Sequence, residues 1–92
     1  MKIILDGALM VDRKTLHDQL AGKFAFPDYY GRNLDALFDL LTGYPGQVTV
    51  VLFHANQLQE NLGRYGKAFL KTVKDASDCN PGITFSIYDE NI

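Results

Sequence analysis

The chain has 92 residues, one domain's worth of sequence, and its 47% apolar and 22% charged content argues for a globular fold and against disorder. Nine basic and eleven acidic residues leave a net charge of −2, which excludes a general nucleic-acid binder held by phosphate attraction. A single cysteine, Cys79, excludes a disulfide framework and a cysteine-based zinc site. No apolar run approaches the roughly 18–20 residues of a membrane span, and Asp6 comes too early for a signal peptide's apolar region. A cytoplasmic protein without membrane association is expected.

Ile3-Ile4-Leu5, closed by Asp6-Gly7, predicts a first strand. A helix follows, with Asp12 as N-cap and Leu16, Leu20 and Phe24 at four-residue spacing as its apolar stripe. Pro27 is expected to end it, because proline disfavours helix in the residue before it. A second helix lies between Asn33, placed to cap its start, and Gly43, placed for a left-handed termination, with Pro45 just beyond. Residues 48–53 are nearly unbroken apolar and β-branched, the pattern of a central strand covered on both faces.

Residues 55–63 are polar and weakly periodic, compatible with a short helix. A stronger helix is predicted over 65–78, with Phe69, Leu70, Val73 and Ala76 on one face. Asn80-Pro81-Gly82 is a turn cluster, and 83–88 alternates as a last strand with one less buried side. The order β-α-α-β-(α)-α-β predicts an α/β fold: a single compact domain over 1–92, with a three-stranded parallel sheet and three to four helices joined by right-handed crossovers.

The small net charge hides segregation. From Asn33 to Gly63 there are three acids (Asp35, Asp39, Glu60) and no Lys or Arg; from Arg64 to Lys74 there are four bases and no acid. On the second helix, Leu34, Leu37, Phe38 and Leu41 cluster as the core stripe, while Asp35, Asp39 and Gly43 share another face. Asp35 complements the helix dipole, but the Asp35/Asp39 pair costs roughly 0.2–0.5 kcal/mol as like charges one turn apart. Within the helix no base stands three or four residues from either acid. Tyr29-Tyr30-Gly31 before the helix and Thr42-Gly43-Tyr44 after it frame the acidic face with tyrosines, which suit a contact surface and equally suit half-buried packing.

Signs of catalysis are sparse. His17 falls on the first helix and His54 closes the central strand, where α/β folds often bind ligands, yet no nucleophile lies at a motif spacing around it. There is no GxGxxG, Walker-type or HExxH pattern. Two aspartates on a helix offer fewer oxygens than a hard cation usually takes, so neither a metal nor another cofactor is expected. The residues point to a binding protein rather than an enzyme.

Residues 27–43, PDYYGRNLDALFDLLTG, closely resemble the signature of the barstar family, intracellular inhibitors of the ribonuclease barnase. The resemblance extends more weakly to the opening strand, Leu16-His17, the strand at 48–53, the Phe-Leu-x-x-Val-x-x-Ala helix at 69–76 and the last strand. It implies a three-stranded parallel sheet with helices, and 1:1 inhibition of a barnase-like extracellular ribonuclease whose basic cleft receives the second helix and its preceding loop. Carried over, the loop contacts are Tyr29, Gly31 and Asn33, and the acidic contacts are Asp35 and Asp39, with Ala36, Phe38, Thr42, Gly43 and Tyr44 around them. The family's type member has tryptophan at the positions of Phe38 and Tyr44, and a late-helix glutamate whose nearest match here is Asp75. These departures leave open an alternative, a barstar-like module recruited to a different toxin or regulatory partner.

Overall fold

The computed structural model describes residues 1–89. Its elements are β1 (Lys2–Asp6), a single 3-10 turn over Gly7–Leu9, α1 (Arg13–Phe24), α2 (Leu34–Thr42), β2 (Val48–Phe53), α3 (Ala55–Leu62), α4 (Arg64–Cys79) and β3 (Ile83–Ile87). The expected α/β architecture is observed: three parallel strands form one sheet in the order β1-β2-β3. The weakly periodic segment after β2 is a full helix, α3, which buries Ala55 and Leu58.

The caps follow local chemistry. At the start of α1, the Asp12 carboxylate accepts the Thr15 N–H at 2.8 Å while the Thr15 hydroxyl accepts the Asp12 N–H at 3.1 Å, a reciprocal capping box. Pro27 does not end this helix. It closes at Phe24, and Ala25 turns the chain in a left-handed conformation at φ 54°, donating its N–H to Ala21. The proline restricts only Phe26, already outside the helix.

Alternation along the strands sends Ile3, Leu5, Val48, Val50, Leu52 and Ile83 into one core with Leu16, Leu20, Leu37, Leu41, Leu58, Phe69 and Val73 from the four helices. The opposite face carries exposed Lys2, Ile4, Thr49 and Thr84. The expectation that β2 is covered on both faces is therefore corrected. Both connections, β1 to β2 and β2 to β3, step in the same direction across the sheet, so right-handed crossovers place all the helices on one side. Val51, on the open side, is still only 6% exposed, flanked in register by Ile4 and Ser86.

Candidate protein-binding face

The core stripe of α2 fixes how the helix is presented. Leu37 and Leu41 are fully buried and Leu34 and Phe38 half-buried, which leaves Asp35 and Asp39 exposed on the outer side. Among the described residues neither carboxylate has an ion-pair or side-chain hydrogen-bond partner. Both helix ends are tied down. The Asn33 side chain accepts the Ala36 N–H at 2.8 Å, the N-cap read from the sequence.

Gly43 does follow the last turn, but at φ −90° it is not left-handed. The Asn80 amide replaces the expected glycine cap, donating to the carbonyls of Leu41 at 2.9 Å and Tyr44 at 3.1 Å. The Leu41 carbonyl also accepts the Tyr44 N–H at 3.2 Å, so the Asn80 amide ties the end of α2 and the residues after it to the turn before β3.

Residues 25–33 contain no helix or strand, yet they are braced from below by aromatic contacts. Tyr44 meets Phe24 edge-on, Phe24 stacks on Phe26 at 5.1 Å, and Phe26 lies 4.8 Å from Tyr30, centroid to centroid. Tyr30 and Tyr65 then clamp His17, which is only 1% exposed: Nδ1 is 2.5 Å from the Tyr30 hydroxyl and Nε2 is 2.7 Å from that of Tyr65. A neutral imidazole satisfies both, donating from one nitrogen and accepting at the other. Burial, reinforced by nearby Arg32, holds the His17 pKa below its ordinary value, and burial pushes the Tyr30 hydroxyl well above the usual tyrosine range. Sequence reasoning missed this hub because residues 17, 30 and 65 come from three separate segments. Tyr29, by contrast, is 83% exposed beside the acidic helix.

The acidic face has a basic margin. Arg32, three residues before Asp35 but outside the helix, adopts φ 54° and pairs with Asp18, which also holds Lys14 at 2.7 Å. The Arg13 guanidinium lies 4.2 Å from the Tyr65 ring centroid. Together with Asn33, Leu34 and Asp35, these groups line a shallow recess of about 410 Å³. The unrelieved acidity expected for the helix thus applies to Asp39 more than to Asp35.

The family model described as "Barstar (barnase inhibitor)" matches residues 1–90. The chain belongs to the barstar family. A Bacillus subtilis (strain 168) protein named "Putative ribonuclease inhibitor YrdF" is 44% identical over 78 residues, covering 84% of this chain and 86% of that protein.

The other positions carried over from the barstar signature divide by environment. Gly31 is exposed, and a Cβ there would come within 3.1 Å of the Asn33 amide and 3.3 Å of the Ala36 methyl, so glycine lets the loop close onto the helix start. Asn33 is engaged as the cap, and Thr42 donates its hydroxyl back to the Phe38 carbonyl at 2.9 Å. Ala36, Phe38 and Tyr44 are half-buried against the core, with the Tyr44 hydroxyl 3.7 Å from the Met1 sulfur. Asp75 lies apart on α4, paired with Lys71 at 2.8 Å, and no hydrogen bond or ion pair joins it to α2.

Outside this face, the His54 Nδ1 is 2.8 Å from an Asp6 carboxylate oxygen, which also accepts the Ala8 N–H at 2.9 Å. The pair stands at the C-terminal ends of β1 and β2, and His54 itself is left-handed at φ 56°. Among the described residues no serine, threonine or cysteine side chain is hydrogen-bonded to His54, and no three metal-ligating side chains gather at one place. Cys79 is free and exposed at the end of α4. No helix of the described residues is long and apolar enough to cross a membrane.

Proposed function

We propose that this chain is a non-catalytic protein inhibitor of a barnase-like extracellular ribonuclease. It binds one to one in the cytoplasm of the producing bacterium and protects the cell as an immunity or antitoxin-type protein. The observation that carries the reading is the pair of exposed carboxylates, Asp35 and Asp39, without partners among the described residues and one turn apart on a helix tied down at both ends inside the family's signature segment. A ribonuclease cleft is positively charged because it holds RNA phosphates. A carboxylate on a rigid helix occupies a phosphate position without offering a bond to cut, and opposite potentials accelerate capture.

In this reading Asp39 enters the cleft most deeply and Asp35 binds at its edge. Tyr29, Gly31 and Asn33 contact the rim from the loop, and Ala36, Phe38, Thr42, Gly43 and Tyr44 shape the apolar surround. Asp75 contributes from α4 only if it leaves Lys71. Family membership and the name of the Bacillus subtilis relative support the class of function. Titrating a barnase-like nuclease with the chain in an RNA-cleavage assay tests it: activity should reach zero at one equivalent, with Asp39→Ala shifting the curve far to the right. Equal inhibition by that variant would show that the face is misassigned.

A second reading, a barstar-like module for a different toxin or regulatory partner, draws on the basic margin at Arg13 and Arg32, which a uniformly basic cleft would repel. Failure to bind any of a panel of barnase-like nucleases at micromolar concentration would favour it.

A further inference from the structure

A second concavity lies on another part of the molecule, between α4 and β3. It measures about 490 Å³ and is lined by Leu70, Lys71, Lys74, Ser77, Phe85 and Ile87. Leu70 and Phe85 are half-buried and Ile87 is 42% exposed, so the floor is apolar and open to solvent. Lys71 is held by Asp75 within the helix, and Lys74 has no ion-pair partner among the described residues. The rim is therefore positive.

The groove runs along a free sheet edge. The outer edge of β1 is guarded: the Gln19 side chain accepts the Asp6 N–H at 2.6 Å and donates to the Asp6 carbonyl at 3.1 Å, and the strand carries Lys2 and Asp6. The β3 strand, Ile-Thr-Phe-Ser-Ile, has no charge and no proline, the usual devices against edge pairing. Val48 donates to the Gly82 carbonyl at 2.8 Å and Tyr88 donates to Leu52 at 2.9 Å. Residues alternate in a parallel ladder, so even-numbered positions face β2 and the N–H and C=O groups of Phe85 and Ile87 point outward. The strand residues whose side chains floor the groove, Phe85 and Ile87, are thus the ones whose outward main-chain groups have no partner among the described residues.

We propose that this groove docks an extended acidic segment of another protein, added along β3 as a fourth strand. Apolar side chains at alternate positions fill the floor over Phe85 and Ile87, and carboxylates meet Lys71 and Lys74. Charge decides against a second copy of this chain. A two-fold pairing of β3 edges keeps both helix layers on one side of the joined sheet and sets the two lysine rims against each other. A small amphiphilic acid would satisfy the lysines and the floor but leave the main-chain edge unused. The groove shares no lining residue with the acidic face of α2, so the proposal stands independently of the inhibitor reading.

The test is an NMR titration of the 15N-labelled full chain with an acetylated, amidated nine-residue peptide alternating valine and glutamate. Shifts should be confined to β3 and residues 70–77. The Lys71→Glu/Lys74→Glu double variant should weaken binding at least tenfold, and Asp39→Ala should leave it unchanged. Ile87→Pro removes one outward N–H while leaving the ladder to β2 intact, and should abolish binding with an otherwise native spectrum. Shifts elsewhere, none at millimolar peptide, or equal binding by a valine–lysine analogue would overturn the proposal. So would sedimentation showing a dimer that Ile87→Pro disperses, since a second copy would then own the edge. The lysine variants are surface changes and keep the test decisive if Ile87→Pro does not fold.

Discussion

Tyr29 stands 83% exposed in the loop before α2, whereas its neighbour Tyr30 is 7% exposed and locked through its hydroxyl to His17. The same division runs through the signature segment and the residue before it. An outer layer, Tyr29, Asp35 and Asp39, makes no polar side-chain contacts with the rest of the described chain. An inner layer, Phe26, Tyr30, Leu37 and Leu41, is packed into the core or the aromatic series reaching Tyr65 and Arg13. The residues proposed for recognition and those that hold the fold are therefore different members of one short stretch. The outer groups can be left without partners because the inner ones over-determine where they stand.

Substitutions that separate the layers test this contrast. The largest effect is expected from Asp39→Ala: a loss of about 2–5 kcal/mol of nuclease binding, as for a truncated interfacial charge pair, with a thermal midpoint unchanged by calorimetry. A matching fall in stability would mean that the outer layer also supports the fold. His17→Ala should do the reverse. It opens a cavity and strips two buried hydroxyls of their partner, costing about 2–4 kcal/mol, which lowers the midpoint by roughly 10 °C or more.

The same imidazole sets a pH dependence. Its folded pKa is depressed, so between the unfolded value near 6.5 and the folded value only the unfolded chain takes up the proton. Stability is fully present above about pH 6.5 and is lost as pH falls toward the folded pKa. Denaturant melts from pH 7.5 to 5.5 should show the parent losing stability relative to His17→Gln, and parallel curves would refute the buried neutral hub. Asp6 and Asp18 act in a separate, more acidic window. Burial raises the Asp6 pKa, but the His54 hydrogen bond, the Ala8 N–H and the His54 charge together outweigh it and lower the pKa, and Lys14 with Arg32 lowers that of Asp18, so both contributions fade only below about pH 4.

Asn33→Ala removes the α2 cap and should cost about 1 kcal/mol in chemical denaturation, with a smaller loss of inhibition as the first turn frays. The smallest effect belongs to His54→Ala. Its partly exposed pairing with Asp6 is worth no more than about 1 kcal/mol, and inhibition should not change. A clear loss of inhibition there would extend the working surface to the sheet corner.

Much of the fold was legible in the sequence because its signals are local. The Asp12 and Asn33 caps, the apolar stripes of α1, α2 and α4 and the β-branched run of β2 depend only on neighbours one or two turns away. The acidic pair was legible for the same reason, since Asp35 and Asp39 must share a helix face wherever that helix lies. Two local inferences failed, the first because a distant group took over and the second because the chain had turned two residues earlier. By position Gly43 suits a left-handed cap, but it stays at φ −90°, and Asn80, thirty-seven positions later, fastens the helix end through the Leu41 and Tyr44 carbonyls. Pro27 suits a helix stop, but Ala25 has already turned the chain.

The sequence by itself determined the order of strands and helices and the segment that carries the family signature, because periodicity and capping are written in adjacent residues. Tertiary structure decided the rest. Strand order placed every helix on one side of the sheet and left Ile4 and Thr49 facing solvent. Packing sent Tyr30 inward to a histidine from another helix and Tyr29 outward, and brought Arg13 and Arg32 to the edge of an otherwise acidic face. Burial, hydrogen-bond partners and neighbouring charges are properties of positions in space, and they exist only once the chain has closed on itself.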